Sequence, residues 1–183
     1  MHGLYANVAG VMTAHNRNIL GSHVYSTRSG LALEVYRVMT PPGGDAERQI
    51  AWSEFDRSLR SVLAGELAVE ALQRRRGRPI GLATAPSRKP PTVSVSNEES
   101  DFYTVVDIAA NDRLGLLHDL TRTIAEHGFE IYISKAATIM DQVTDTFYLK
   151  DHRGKKLGDR RAIERLRHAL RAAARHDEDG GGS

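Results

Sequence analysis

The chain contains no cysteine, so disulfides and thiolate metal sites are excluded. That absence fits a reducing compartment such as the cytoplasm. No apolar run approaches the roughly 20 residues of a membrane span, and no basic start followed by an apolar core marks a signal peptide. Aromatic residues make up only 6% of the 183 positions, and Lys plus Arg exceed Asp plus Glu by only two. Bulk charge therefore makes no general case for nucleic acid. Several catalytic signatures are also missing. There is no glycine-rich phosphate loop and no Gly-x-Ser-x-Gly nucleophile turn. Gly21-Ser22 is not followed by the Asp-x-Asp that would hold Mg²⁺ on a triphosphate. His118-Asp119 has the look of a hydrolase pair, but it lies inside an amphipathic helical run and reads as a solvated helix face. His176-Asp177 lies in a polar tail. No catalytic centre is expected in these residues.

What is present is a duplicated junction. Asn111-Asp112-Arg113-Leu114-Gly115-Leu116-Leu117 follows a strand-like run, Phe102 to Ala109, and opens a helical run, Leu116 to His127. Glycine there permits close backbone approach, and the N–H groups of the new helix suit a carboxylate. Gly3-Leu4-Tyr5-Ala6-Asn7-Val8 repeats Gly115-Leu116-Leu117-His118-Asp119-Leu120 at an offset of 115 − 3 = 112. Leu4, Tyr5, Val8 and Met12 match Leu116, Leu117, Leu120 and Ile124, one face of a helix in each copy. His15 and His127 close the two helices, where a protonated ring would favour the helix dipole. Asn18-Ile19-Leu20 and Glu130-Ile131-Tyr132 then start strands.

A hairpin follows in both copies: Val24 to Thr27 with Leu31 to Val38, and Ile131 to Ile139 with Val143 to Leu149. Glu34-Val35-Tyr36 matches Asp145-Thr146-Phe147 at offset 111. A second helix comes next. Asp45 is placed to cap the first, with Ala51, Phe55, Leu59 and Val62 as its stripe and Trp52 beside it. Asp159 is placed to cap the other, with Ile163, Leu166 and Leu170. The order is that of two ferredoxin-like βαββαβ units, an α+β fold of antiparallel sheets with helices on one face. The first unit, residues 1–97, lacks its opening strand and is expected to close with Pro91 to Ser96. It carries an extra helix, Glu66 to Arg76, and a basic linker up to about residue 90. The second unit spans 98–176. Residues 177–183 read as a disordered tail. The pattern suggests an N-terminally shortened piece of a longer protein, with an exposed sheet edge prone to pairing.

Three stretches carry a family resemblance: Asn18 to Gly21 with Ser26 to Tyr36; Asp112 to Leu117; and Ile133 to Thr138 running into Asp145 to Asp151. Together, over residues 3 to 172, they resemble the ACT domain, a small-molecule regulatory module. The tandem arrangement is similar to the C-terminal pair in the bacterial protein-PII uridylyltransferase/uridylyl-removing enzyme family. One departure is Leu114, where proline is commonest in that family. The resemblance implies glutamine sensing in nitrogen metabolism, with nucleotidyltransferase and phosphohydrolase domains elsewhere in the parent enzyme acting on the PII protein. It implies no cofactor in these residues, Mg²⁺ belonging to the catalytic domains alone.

The candidate site is the Asn111 to Leu117 loop. Gly115, Leu116 and Leu117 offer N–H groups to a ligand carboxylate, and Asn111 or Asp112 accepts from its ammonium or amide. Asp112 also has the ordinary role of a turn or cap residue. Arg113 reads as an exposed or domain-contacting cation. Walls would come from Ile131, Tyr132 and Ile133, or from the partner unit. By pseudo-symmetry Gly3, Leu4, Asn18 and Ile19 define a second site. Two other readings compete: an ACT-type pairing module without a catalytic partner, and RNA binding on a βαββαβ sheet. The second lacks the basic-aromatic signature it requires, so neither nucleic acid nor membrane is expected as a partner.

Overall fold

The computed structural model describes residues 3–27, 31–39, 44–77, 90–139 and 142–175. The expected turns at Arg28 to Gly30 and at Met140 and Asp141, the linker from Arg78 to Lys89, His176-Asp177 and the tail lie outside them. The elements run α1 (Leu4–Ala14), β1 (Ile19–Ser26), β2 (Ala32–Val38), α2 (Asp45–Leu63), α3 (Val69–Arg76), β3 (Thr92–Ser96), β4 (Thr104–Asn111), α4 (Leu116–Glu126), β5 (Phe129–Ile139), β6 (Gln142–Asp151) and α5 (Arg160–Ala174). All described strands join one antiparallel sheet in the order β2-β1-β5-β6-β4-β3. The two units thus meet edge to edge, through β1 and β5.

That seam obeys the repeat. His23 pairs with Lys135, and 135 − 23 = 112, so a local two-fold axis passes through this pair. The pairs Gly21↔Ala137 and Tyr25↔Ile133 exchange under it. Tyr5 Oη lies in hydrogen-bond contact with Ser22 and, at 3.1 Å, with Ser134, which are themselves 112 apart.

Alternation sets the buried face. On β6, Val143, Asp145, Phe147 and Leu149 all point inward, and all are buried. Val143, Phe147 and Leu149 meet Leu116, Leu120 and Ile124 of α4 and Leu166 and Leu170 of α5 in one core. A second core joins Val8, Val11 and Met12 of α1 to Phe55 and Val62 of α2 and to Val69 and Leu72 of α3. α1 is buried almost all round, as its apolar and small residues require when helices and sheet enclose it.

Several expectations need correction. Thr92–Ser96 does not close the first unit; it pairs with β4, from Thr92↔Ala109 to Ser96↔Val105. The reason is local. Only residues 97–103 separate the two strands, and a short connection favours an antiparallel hairpin. Asn97 pins that loop, accepting from Thr104 Oγ1 at 2.6 Å and donating to the Leu157 carbonyl at 2.8 Å. α3 begins at Val69 rather than Glu66. The N-cap of α2 is Gly44, whose N–H donates to Glu47 Oε2 at 3.0 Å, so Asp45 is the first helical residue. Asp159 does cap α5, accepting from the Arg161 N–H at 2.8 Å. Trp52 is 39% exposed instead of filling the core; its ring meets Phe55 edge-on and lies under Arg17.

Candidate functional site

Two pockets lie on opposite sides of the seam, and each draws on both units. The first joins Gly3, Leu4 and Tyr5 of the first unit to Ile131 and Tyr132 of the second, around a cavity of about 80 Å³. The second joins Asp112, Gly115 and Leu116 of the second unit to Asn18 and Ile19 of the first, around about 20 Å³. Arg113 and Leu117 also line the second. Each loop therefore meets the first hairpin strand's start from the other unit, the partner-unit alternative of the sequence reading, together with strand residues of its own unit, Val24 and Glu34 in the first pocket and Ala136 and Asp145 in the second. The cause is the β1–β5 pairing, which carries the start of each of these strands under the opposite loop. Asn111 lines neither pocket; its Oδ1 accepts from Gln142 Nε2 at 2.9 Å at the end of the β4–β6 ladder.

Both loops end alike. Gly3 has φ 77° and Gly115 has φ 87°, left-handed values that glycine adopts without strain, and each stands just before a helix. Neither helix has a side-chain cap. In the second loop, however, the Leu116 N–H donates to the Arg113 carbonyl at 3.1 Å, so it is not one of the groups left for a carboxylate. In the first pocket the first helical bond is Asn7 N–H to the Gly3 carbonyl, which leaves the turn before it available to an anion.

Each pocket also contains an acid from the inward face of the second hairpin strand. In the first it is Glu34, half-buried, held by Tyr36 Oη at 2.6 Å. Burial pushes its carboxyl above the usual range, and the Tyr36 hydroxyl partly offsets this. In the second it is Asp145, 2% exposed and pushed up to about 7 by burial; the Ala137 N–H lowers it and the charge of Asp112 raises it. Asp112 is buried too, and its carboxyl is raised for the same reason, against hydrogen bonds from Asn18 and the Arg113 N–H. Asp112 thus joins the units, rather than capping α4. Arg113 is occupied: Nη2 donates to the Ala173 carbonyl at 2.8 Å and pairs with Asp119 at 2.6 Å.

The histidines also differ from expectation. His118 is buried, not solvated; its Nδ1 contacts the Ala6 carbonyl at 2.9 Å, tying α4 to α1. His15 is buried against Phe55 and lies 3.0 Å from Ser58 Oγ. Burial lowers it to about 4, so it is a neutral ring and no charged cap. His127 places Nδ1 2.8 Å from the Thr123 carbonyl. Among the described residues no group of three or more His, Asp or Glu is gathered to hold a metal ion, and no helix is long and apolar enough to cross a membrane.

Sequence reading missed Arg17 and Asp145 as pocket residues. A signal for Asp145 existed: it is an acid in the inward register of an otherwise apolar strand, and the repeat sets Glu34 at its counterpart.

Helices on one face of antiparallel, edge-joined units, with an uncapped helix behind a left-handed glycine at each seam pocket, define an ACT-type fold. A family model described as an ACR9-like, ACT-like domain matches residues 92–177, and these residues form an ACT-like domain. The match starts at β3, in keeping with its place in the sheet of the second unit. Over 93% of this chain, identity is 32% to the bifunctional uridylyltransferase/uridylyl-removing enzyme of Rhodospirillum rubrum, covering 18% of that protein. The enzyme of the same name from Phenylobacterium zucineum is 36% identical over 93% of this chain, covering 18% of its length, and that from Azospirillum brasilense 32% over 92%, covering 19%. The matched part is their C-terminal region, and the chain spans less than a fifth of these relatives' length. No solved structure matches it.

Proposed function

We propose that this chain is a cytoplasmic glutamine-sensing regulatory module of a uridylyltransferase/uridylyl-removing enzyme, controlling uridylylation of a PII protein. The observation that carries the reading is the seam pocket. An uncapped helix start, suited to a carboxylate, shares each pocket with an acid suited to an ammonium, half-buried Glu34 in the first and buried Asp145 in the second, and the walls come from two units. Such a site reports on how the units sit together. A ligand that prefers one arrangement shifts the population toward it, and a coupling of about 1–3 kcal/mol changes activity elsewhere roughly 5- to 150-fold. The catalytic work belongs to other domains of the parent enzyme, as do Mg²⁺ and the PII contact.

Calorimetry of the chain against glutamine, glutamate and 2-oxoglutarate tests this. Selective uptake of glutamine is the expected outcome. Equal binding of all three, or none by folded protein, contradicts it. A second reading, a ligand-independent pairing module, draws on one observation. Leu33, Val35 and Tyr25 are exposed on the outer face of the β1–β2 hairpin, and β2 is an edge strand among the described residues. Dimers that form regardless of glutamine favour that reading.

A further inference from the structure

Two side chains in the second pocket have idle polar atoms. Arg17 is 3% exposed, and its Nε and Nη1 have no hydrogen-bond partner. Asp145 is 2% exposed, and its Oδ1 has none. Both line the pocket under the Asp112 to Leu117 loop. The guanidinium lies 4.5 Å from the Trp52 ring centroid, a contact that sets its plane but supplies no acceptor. Asp145 keeps a hydrogen bond from the Ala137 N–H, but its Oδ1 and two of the guanidinium nitrogens are buried without a partner, which is unfavourable, and proteins keep such atoms where something else completes them.

The first pocket is built differently. The offset of 112 places Phe129 where Arg17 stands and Glu130 where Asn18 stands, and both line the first pocket. Its acid, Glu34, already has Tyr36 as a donor. The first pocket therefore has acids and a helix start but no arginine.

We infer that the duplicated sites have diverged, and that Arg17 and Asp145 make the second pocket a site for a dipolar ligand, Arg17 holding its carboxylate and Asp145 its ammonium. This rests on the amino-acid-sensing reading above and assigns the groups that recognise the ligand. Guanidinium Nε and Nη1 form the side of a planar fork that matches the two oxygens of a carboxylate. Asp145 Oδ1 accepts from the ammonium, and the neighbouring Asp112 adds negative charge. Burial, with the charge of Asp112 added, raises the pKa of Asp145, and a bound ammonium opposes that shift. At about 20 Å³ the cavity holds one or two waters, so ligand binding widens it.

The test uses the whole chain, with L-glutamine as probe, in calorimetric titration and thermal melts of wild type, Arg17→Met, Arg17→Lys and Asp145→Asn. Wild type is expected to take up two equivalents. Arg17→Met and Asp145→Asn are each expected to lose one, leaving the other site within about twofold in affinity. Arg17→Lys keeps the charge but loses the fork, and is expected to weaken the second site about tenfold without abolishing it. Without glutamine, Asp145→Asn is expected to melt at or above the wild-type temperature, because it removes an unpaired buried charge. Two equivalents bound unchanged by Arg17→Met and Asp145→Asn would overturn the assignment. So would a fall in the unliganded melting temperature of both by more than about 5 °C, the mark of a structural role. One equivalent bound by wild type and unaffected by either variant overturns the assignment while leaving the amino-acid-sensing reading intact. No uptake by folded wild type overturns that reading itself.

Discussion

The side-chain amide of Asn18, where β1 begins in the first unit, donates to Oδ2 of Asp112, in the loop ahead of α4 in the second, at 3.2 Å. The two residues are 94 positions apart, and their bond crosses from one unit to the other beside the second pocket. Asp112 is buried with its carboxyl raised, so losing a donor leaves it more poorly solvated. Asn18→Ala is expected to lower the unfolding free energy by about 1.5–3 kcal/mol, the range for a hydrogen bond to a charged group. Urea denaturation checks this; a change below about 0.5 kcal/mol, the size of a neutral surface substitution, contradicts it.

Close approach of α1 and α4 depends on Gly10. A Cβ there would lie 2.4 Å from Val69 Cγ1 and 2.7 Å from His118 Cε1. His118 has little freedom to yield, because its Nδ1 is engaged with the Ala6 carbonyl. Gly10→Ala is expected to cost about 1–3 kcal/mol through overpacking, and Gly10→Val more, despite the better helix propensity of alanine. Equal or greater stability of Gly10→Ala in urea would show that the interface is looser than this geometry.

Gly115 presents a different constraint. Its φ of 87° disfavours any side chain, and a Cβ would meet Thr13 Cγ2 at 3.1 Å. Gly115→Val is expected to lose about 1–2 kcal/mol from backbone strain alone and to weaken ligand uptake at the second pocket. Gly3→Val carries the same strain with no atom within 4 Å of its Cβ, so its effect is expected to be smaller. Denaturation of the pair checks the order.

Much of the fold is legible in the sequence because the repeat is local. The apolar spacing of Leu116, Leu120 and Ile124 in α4, and the alternation of Val143, Phe147 and Leu149 in β6, each specify an element and its buried face. What joins the elements is less legible. Thr92–Ser96 has the composition of a strand in either unit, and only the short pinned loop at Asn97 decides its partner. The sharing of walls between units follows from β1 pairing with β5, a contact centred on His23 and Lys135, 112 positions apart, that no local pattern encodes. The loop residues Gly3 and Gly115 were readable as glycines ahead of helices. Arg17 was not, because beside Asn16 and Asn18 it has the look of a solvated loop cation, and only the enclosing α2 and Trp52 bury it.

Two buried groups give opposing pH dependence. His15 falls to about 4 in the folded state from 6.5, so protonation favours unfolding, and its contribution to stability is lost as pH falls from 6.5 through 4. Asp145 rises to about 7 from 3.8, so its proton favours the folded state, and stability is lost as pH rises from 3.8 through 7. Between pH 4 and 6.5 the two oppose each other. Asp145→Asn removes the second, and its stability is expected to rise more steeply with pH than wild type, by up to about 1.4 kcal/mol per pH unit. His15→Gln is expected to shift the slope the other way. Unfolding free energies of the three proteins at pH 4.5, 5.5 and 6.5 check the signs; identical slopes contradict them.

Each candidate site takes its loop from one unit and part of its wall from the other. Calorimetric titration of glutamine into Gly115→Val paired with Asn18→Ala, and into Gly115→Val paired with Tyr132→Ala, distinguishes this arrangement from two self-contained sites. The first pair strikes one pocket twice and is expected to leave one glutamine site intact, at the affinity it has in Gly115→Val alone. The second pair strikes both pockets and is expected to leave none. If Gly115→Val with Tyr132→Ala spares a site, while Gly115→Val with Asn18→Ala loses both, each loop works with its own unit's strands alone and the shared-site arrangement is contradicted.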